Sequence, residues 1–272
     1  MTSLAFFLRL NAASCVSFGA LFVILPGAIG DVLGGMPPAV LAGVGVVLLI
    51  NGAHLLLASM RARPVPAEIV WFSLGDLAWW LATLGLIASG IWITTSVGIA
   101  LALVVALCVA GLGCAQLFLL GIESSGLTPR EHWRRIGWSW LSLPLWVKVW
   151  LFALNAVFLL SPTFLPWKIA GVVLIAYLAS GPLLLGFAVF EGGLTRAMGL
   201  GHLVPWTPML VWLVAWIAVG EVDGPTVGYA AMLAAVTVIC LAFDVYDLWR
   251  WGRGDRGIIA NSGAEMADPR PA

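Results

Sequence analysis

An acidic side chain lies inside one of the most apolar stretches of the chain, WFSLGDLAWW at positions 71–80. Helical spacings of 3, 4 and 3 place four residues with polar atoms on one face: Ser73, Asp76, Trp80 and Thr83. An ionised aspartate near a bilayer centre costs about 2.5–3.5 kcal/mol, so the Asp76 carboxyl group must be paired, hydrated or protonated. We therefore expect this face to point into a helix bundle and not toward lipid.

Polar residues of other apolar stretches lie at a similar predicted depth. Counting 1.5 Å per residue from the inner helix ends places Asp76 about 10 Å deep, with His54 and Asn51 at about 9 and 14 Å. Since consecutive antiparallel helices are normally neighbours, we predict an Asn51–His54–Asp76 cluster beside Ser73, with Asp244 at the depth of His54. An acid and an imidazole at one depth can carry a proton, hold a cation or bind a polar substrate group, and they can equally form a neutral structural pair.

The remaining polar residues of the apolar stretches have a structural interpretation. Interhelical hydrogen bonds of about 0.6–2 kcal/mol each account for the amides Asn11, Asn51, Gln116 and Asn155. Near the end of the last stretch, Asp247 and Arg250 are interpreted as an interfacial ion pair.

Cysteines and known motifs indicate neither a cofactor nor a catalytic centre. The four cysteines lie in apolar stretches without CxxC spacing, so we expect packing residues and no metal site or disulfide: Cys15, Cys108, Cys114 and Cys240. The sequence has no Walker, HExxH, GxSxG or EF-hand motif. With only three histidines, a bis-histidine haem site is not expected either. We predict no catalytic residues, no metal and no cofactor.

The elements that must position these residues are membrane helices. Of 272 residues, 62% are hydrophobic and 10% are charged, whereas soluble domains carry about 25% charged residues. The apolar runs approach 20 residues, which excludes the shorter alternating segments of an outer-membrane barrel. The fold class is therefore an all-α polytopic membrane protein, and the formal charge of zero indicates no nucleic-acid partner.

Eight membrane spans are predicted, near 10–29, 39–60, 69–89, 97–120, 146–164, 168–190, 203–220 and 228–249. With the N-terminus in the cytoplasm, only Lys168 among 13 basic residues falls on the outer side. This positive-inside bias predicts that both termini are cytoplasmic, in a bacterial inner membrane.

The longest hydrophilic connection divides the spans into two sets of four. We predict a first bundle at 1–120, a cytoplasmic loop at 121–145, a second bundle at 146–256 and a disordered tail at 257–272. LTPREHW in the loop is typical of a helix start, and with Arg134 and Arg135 it predicts an interfacial amphipathic helix facing anionic headgroups. The Gly-rich turn carrying Arg196 and His202 is a second headgroup or phosphate candidate, with loop flexibility as the alternative.

The positions of glycine, proline and arginine in the first half follow a pattern that is found in a known group of proteins. Its elements are Arg9, Gly19, LPG at 25–27, LGG at 33–35, NG at 51–52 and Arg61. Over about 120 residues this pattern resembles small DoxX-like four-helix bacterial membrane proteins. The resemblance implies a four-helix bundle, sometimes an accessory to membrane redox systems, and it brings no catalytic residues. The whole chain resembles polytopic bacterial inner-membrane proteins.

Three function classes remain open. A small-molecule or proton-coupled transporter would use the buried polar cluster and the Gly-Pro step at Pro182. An accessory or assembly subunit would use its apolar flanks to bind a membrane-protein partner. A membrane enzyme acting on a lipid-like substrate would need the acid and base groups near the inner interface. Transport is the favoured interpretation.

Overall fold

The computed structural model describes residues 3–164, 168–220, 222 and 224–259. These residues form ten α-helices and no β-strand. Eight segments are long and apolar enough to cross a membrane: Ser3–Ile24, Pro38–Ser59, Pro66–Ser89, Ser96–Ser125, Leu145–Phe164, Lys168–Glu191, Arg196–Val219 and Thr226–Gly252. The all-α polytopic fold with eight spans is confirmed.

The chain divides into two compact units, of which the first is Met1–Ser125. Its helices are α1 (Ser3–Ile24), α2 (Pro26–Leu33), α3 (Pro38–Ser59), α4 (Pro66–Ser89) and α5 (Ser96–Ser125). The closest packing joins α1 to α3, α4 to α5 and, less extensively, α1 to α5. The long helices therefore follow the order α3–α1–α5–α4, and the predicted close packing of the consecutive helices α3 and α4 is wrong.

Glycines allow the backbones of α1 and α3 to approach closely. A Cβ atom at Gly19 would lie 2.9 Å from the carbonyl oxygen of Gly45, and one at Gly45 would lie 2.8 Å from that of Gly19. About two turns further along α3, a Cβ at Gly52 would lie 2.8 Å from Val16 Cγ2. This contact explains why α3 packs on α1 and not on α4, since close backbone approach replaces the hydrophobic effect as a source of helix association in lipid.

The first helix begins earlier than predicted, at Ser3 and not near residue 10. Arg9 lies within α1, where its Nε donates to Ser59 Oγ at 3.4 Å near the end of α3. The helix ends at Ile24 because Pro26 starts the separate helix α2, which the sequence pattern does not predict. Because Arg9 has a polar partner on α3, the helix continues through this charged residue. It therefore starts seven residues before the predicted span.

The second unit, Gly126–Ala272, contains α6 (Pro129–Leu141), α7 (Leu145–Leu159), α8 (Lys168–Glu191), α9 (Leu200–Val219) and α10 (Pro225–Gly252). Its core includes stacked aromatic rings, with Phe158 4.3 Å from Trp206 and 5.5 Å from Tyr177 between ring centroids. Trp206 also donates from Nε1 to the carbonyl oxygen of Ala176 on α8. This core fixes α9 against α7 and α8.

Helix α6 begins with a capping box, in which Thr128 Oγ1 accepts from the Glu131 backbone and Glu131 accepts from the Thr128 backbone. Its buried face carries His132, whose Nε2 contacts the carbonyl oxygen of Val189 at 2.7 Å, and Ser139, whose Oγ accepts from the Leu194 backbone. The helix is therefore held against the end of α8. Its interfacial position remains a prediction.

The Gly-rich segment after α8 is more helical than predicted. A 3₁₀ helix, Arg196–Gly199, leads directly into α9, which begins at Leu200. Pro205 and Pro208 therefore lie inside α9 and do not open it. Within the predicted tail, Ile258 forms a β-bridge with Thr195, whereas residues 260–272 lie outside the described residues.

Candidate functional site

Asp76 joins three helices of the first unit through its carboxyl group. Asn11 Nδ2 of α1 donates to Asp76 Oδ2 at 2.8 Å, and Gln116 Nε2 of α5 donates to the same oxygen at 3.0 Å. Asp76 is 5% exposed, and Asn11 and Gln116 are buried. The face predicted to point into the bundle does so, but the hydrogen-bond partners of Asp76 lie on α1 and α5 and not on α3.

Close packing of α4 and α5 brings Gln116 within reach of Asp76. A Cβ atom at Gly113, one turn before Gln116, would lie 2.9 Å from Asp76 Cβ and 3.1 Å from the carbonyl oxygen of Ser73. Any larger residue would move the helices apart. Gly113 therefore sets the distance across which the Gln116 amide bonds the carboxyl group.

Two further side chains extend the network to α3. Cys15 Sγ lies 3.8 Å from Asn11 Oδ1, and Asn51 Nδ2 lies 3.6 Å from Cys15 Sγ. Asn51 is thus connected to Asp76 through Cys15 and Asn11, and not directly. Sulfur is a weak donor and acceptor, so these contacts orient the two amide groups but contribute little to the stability of the network.

His54 does not join Asp76 in a hydrogen bond. Its Nε2 lies 3.4 Å from Glu68 Oε1, and Glu68 also forms an ion pair with Arg61. The His54 ring packs edge-on against Phe72, with centroids 4.8 Å apart. His54 and Asp76 line the same cavity, but the imidazole is paired with the glutamate at the start of α4 and not with the aspartate.

A groove of about 1030 Å³ fills the space between α3 and α4. Asn51, His54 and Asp76 all line it, so the predicted residues share one cavity although they do not bond directly. Most of the wall is apolar and comes from α1, α3, α4 and α5, including Phe18, Val44, Leu48, Trp79 and Val105. Other lining residues, among them Ile50 and Trp71, are more than 60% exposed, so the groove is open at the side of the bundle.

The carboxyl group meets only neutral partners. In the part of the chain that the structure describes, no lysine, arginine or histidine pairs with Asp76, and no hydrogen bond reaches its second oxygen, Oδ1. Three neighbouring polar atoms are also buried without a hydrogen-bond partner among the described residues: Ser73 Oγ, Trp80 Nε1 and Gln116 Oε1. Buried polar atoms are normally paired, so this concentration is unusual, although of this group it is Asp76 that lines the groove.

The other predicted candidates lie in the second unit. Asp244 contacts His202 there, with Asp244 Oδ2 3.2 Å from His202 Nδ1. Arg196 is held by two aspartates, Asp247 at 3.4 Å and Asp255 at 3.0 Å. Its positive charge is thus compensated within the unit, which weakens its candidacy as a headgroup ligand. His202 belongs to α9 and not to a loop.

Arg134 and Arg135 lie on α6. Arg134 is exposed and Arg135 is half-buried. Trp133 and Trp140 on the same helix are also exposed, at 52% and 47%. An exposed guanidinium beside exposed indole rings is typical of a helix at a membrane surface. These two arginines therefore remain the headgroup candidates of the chain.

From the sequence, Asn11 and Gln116 were predicted only to form interhelical hydrogen bonds. That both donate to Asp76 Oδ2 was not predicted. Their spacing along the chain, 65 and 40 residues from Asp76, carries no signal that they meet. Comparisons of the chain with protein-family models, with curated proteins and with solved structures find no match. The chain is an integral membrane protein whose candidate site is defined by its own residues.

Proposed function

We propose that the protein binds an amphipathic small molecule from the bilayer in the groove between α3 and α4, with the polar end of the molecule at Asp76. The observation that carries this proposal is the Asp76 carboxyl group itself. It lines an apolar groove with one oxygen bonded to two amides and the other without a hydrogen bond from the described residues.

The size and lining of the groove support an occupant of this kind. Ligand pockets have volumes of roughly 300–1,000 Å³, with apolar walls and a few polar groups that orient the ligand. The groove, at about 1030 Å³, is at the upper end of that range. Its polar residues Asn51, His54 and Asp76 lie toward the C-terminal end of α3 and the N-terminal half of α4. A ligand whose apolar chain lies along α3 and whose polar group lies at Asp76 would match this separation of apolar and polar lining residues.

The chemistry of Asp76 favours a hydrogen-bond donor at that polar end. Oδ1 of a carboxylate is an acceptor, and hydrogen bonds to a charged partner contribute about twice as much as neutral ones. Among the described residues, the amides of Asn11 and Gln116 are the hydrogen-bond donors to the carboxyl group. A hydroxyl or amine group of the ligand would complete its coordination.

Of the three function classes, transport of such a molecule is the one that this groove supports. A transporter of membrane-dissolved cargo requires a site that is open to the bilayer and has one polar contact inside the bundle. We retain the bacterial inner membrane, with both termini in the cytoplasm, as the predicted location of the protein.

The substitution Asp76→Asn tests the binding proposal. The Asn carbonyl oxygen can accept both amides in place of Oδ2, so the helices stay joined, but the groove then meets an NH₂ donor where Oδ1 was an acceptor. Native mass spectra of protein released in mild detergent should show a retained amphipathic molecule in the wild type and none in Asp76→Asn. Asp31→Asn, an exposed position on α2, is the matched control and should retain the molecule.

Defined probes test the donor requirement. Dodecylamine and dodecanol, which carry a donor, should raise the melting temperature of the wild type, and methyl dodecanoate, which only accepts, should not. Asp76→Asn should abolish this difference. Equal stabilisation by all three probes in both proteins would contradict a role for Asp76 in recognition.

Filling the groove tests its location. Gly43 and Gly75 line the groove, and a Cβ atom at either position has nothing within 4 Å. Gly43→Leu and Gly75→Leu should therefore fold normally and lose the ligand, whereas Gly85→Leu, outside the groove on α4, should retain it. Retention in both groove-filled variants would refute the site.

A further inference from the structure

Three side chains of different chemistry meet in the second unit. His202 Nδ1 on α9 lies 3.2 Å from Asp244 Oδ2 on α10, and Cys240 Sγ lies 3.6 Å from the same oxygen. The three ligand atoms all lie within 4.8 Å of one another. Imidazole, thiolate and carboxylate are the three protein ligands of zinc.

Two of the three distances between these atoms match those around a tetrahedral zinc ion, and the third, between the His202 nitrogen and Cys240 Sγ, is within 4.8 Å. With Zn–N, Zn–O and Zn–S bonds of about 2.05, 2.1 and 2.3 Å, nitrogen and oxygen ligands lie about 3.4 Å apart, and sulfur and oxygen ligands about 3.6 Å apart. The corresponding distances to Asp244 Oδ2 are 3.2 and 3.6 Å. An ion could therefore bind with movements of a few tenths of an ångström along these two edges.

Local structure holds the three side chains in place. Cys240 and Asp244 are four residues apart on α10 and so share a helical face. The His202 ring stacks on Trp206 with centroids 4.2 Å apart. A Cβ atom at Gly199 would lie 3.0 Å from Asp244 Cβ, so the chain before α9 approaches α10 closely at this point. The cluster is thus positioned by packing and not only by its own hydrogen bonds.

We propose that His202, Cys240 and Asp244 bind Zn²⁺, with a fourth coordination position open to water or another ligand. A neutral imidazole, a thiolate and a carboxylate together carry two negative charges, which offset the charge of Zn²⁺ and suit a site with little water. Cys240 is 5% exposed, and the side chains of His202 and Asp244 are each 15% exposed. Asp247 is not a fourth ligand, because it lies 3.4 Å from Arg196 Nε and balances that charge.

This site was not expected from the sequence, where the cysteines show no metal-binding spacing. The ligands come instead from an i, i+4 pair on one helix and a histidine 38 residues earlier on another. Such a set is visible only once α9 and α10 are packed together. The site is independent of the proposed groove, since each of its residues belongs to the second unit.

Cobalt substitution gives the sharpest test. Full-length protein in mild detergent, titrated with Co²⁺, should develop a thiolate-to-cobalt charge-transfer absorption together with tetrahedral d–d bands, and one equivalent of Zn²⁺ should abolish both. Cys240→Ser should lose the charge-transfer absorption. His202→Gln and Asp244→Asn should weaken Zn²⁺ binding by more than the roughly 10–100-fold that follows loss of an outer-shell partner. Cys108→Ser, at an exposed cysteine of α5, is the control and should match the wild type.

A second readout avoids dependence on variants that fail to fold. Zn²⁺ should protect Cys240 of the wild-type protein from alkylation, and binding should release about one proton as the thiol ionises. Absence of a charge-transfer band in the wild type, or an unchanged band in folded Cys240→Ser, would overturn the proposal. The same cluster would then be a hydrogen-bonded contact between α9 and α10.

Discussion

Removing the amide donors of Asp76 one at a time tests whether the carboxyl group holds the first unit together. Asn11→Leu and Gln116→Met each delete one hydrogen bond to Oδ2 at similar side-chain volume. Interhelical hydrogen bonds in membranes contribute about 0.6–2 kcal/mol, so each variant should lower the free energy of unfolding by an amount in this range. In an Asp76→Leu background both effects should nearly vanish, because the amides have lost their acceptor.

The two donors should not contribute equally. Asn11 uses both ends of its amide, since Oδ1 faces Cys15 while Nδ2 bonds Asp76. Gln116 leaves Oε1 buried without a partner among the described residues, and its Nε2 also bonds the Leu112 carbonyl oxygen of its own helix. Replacing Gln116 therefore removes an unsatisfied atom along with a hydrogen bond. We expect Asn11→Leu to cost more than Gln116→Met.

The measurement is a double-mutant cycle for each donor with Asp76→Leu. Unfolding in mixed detergent micelles, followed by tryptophan fluorescence, gives the coupling free energy of each pair. Ser89→Ala is the control, because the hydrogen bonds of Ser89 Oγ are local, to the Leu86 carbonyl oxygen and from the Ile91 backbone, and the substitution should be additive with Asp76→Leu. If the amide substitutions cost the same with and without Asp76, the carboxyl group does not join the helices and the reasoning fails.

Three further predictions concern packing, capping and pH. Gly113→Ala should destabilise the protein by about 1–3 kcal/mol, because the added Cβ would lie 2.9 Å from Asp76 Cβ. Gly111→Ala should be tolerated, because a Cβ there has nothing within 4 Å, and thermal unfolding of the two variants makes the comparison. Thr128→Ala should cost about 0.5–2 kcal/mol by removing the cap of α6, which circular dichroism melting would detect. Burial lowers the pKa of His132, so unfolded chain takes up the proton first, and stability should fall as pH decreases through about 6.5. The melting temperature of His132→Gln should change less with pH across this range than that of the wild type.

The number of membrane spans and their helical type could be predicted from the sequence because each span carries its own signal. A run of about 20 apolar residues is a local property, and the bilayer requires such runs to be helical. The helix start at Thr128 is equally local, since its cap lies within three residues. Helix α2 escaped prediction because its eight residues follow the apolar run of α1 without a change in composition.

The pairing of helices could not be read from the same signals. Adjacent helices were expected to pack, but the contact of α1 with α3 depends on Gly19 and Gly45, whose mutual fit is visible only in three dimensions. The burial of Asp76 inside the bundle was predictable, and the identity of its donors was not. Several arrangements of the helices would bring an amide within hydrogen-bond distance of the carboxyl group. The sequence alone does not show that α1 and α5 are the helices that do so.

The two donors of Asp76 also reach the membrane at different times. Asn11 is synthesised 65 residues before the aspartate, and Gln116 follows it by 40 residues. At roughly 5–20 residues per second, Asp76 leaves the ribosome about 2–8 s before Gln116 does. During that interval Asn11 is the one of these two amides that can already receive the acid as α4 enters the bilayer. The order of synthesis thus gives Asn11 a role in biogenesis that Gln116 cannot share, and loss of Asn11 should lower the yield of inserted protein even where the finished bundle is stable.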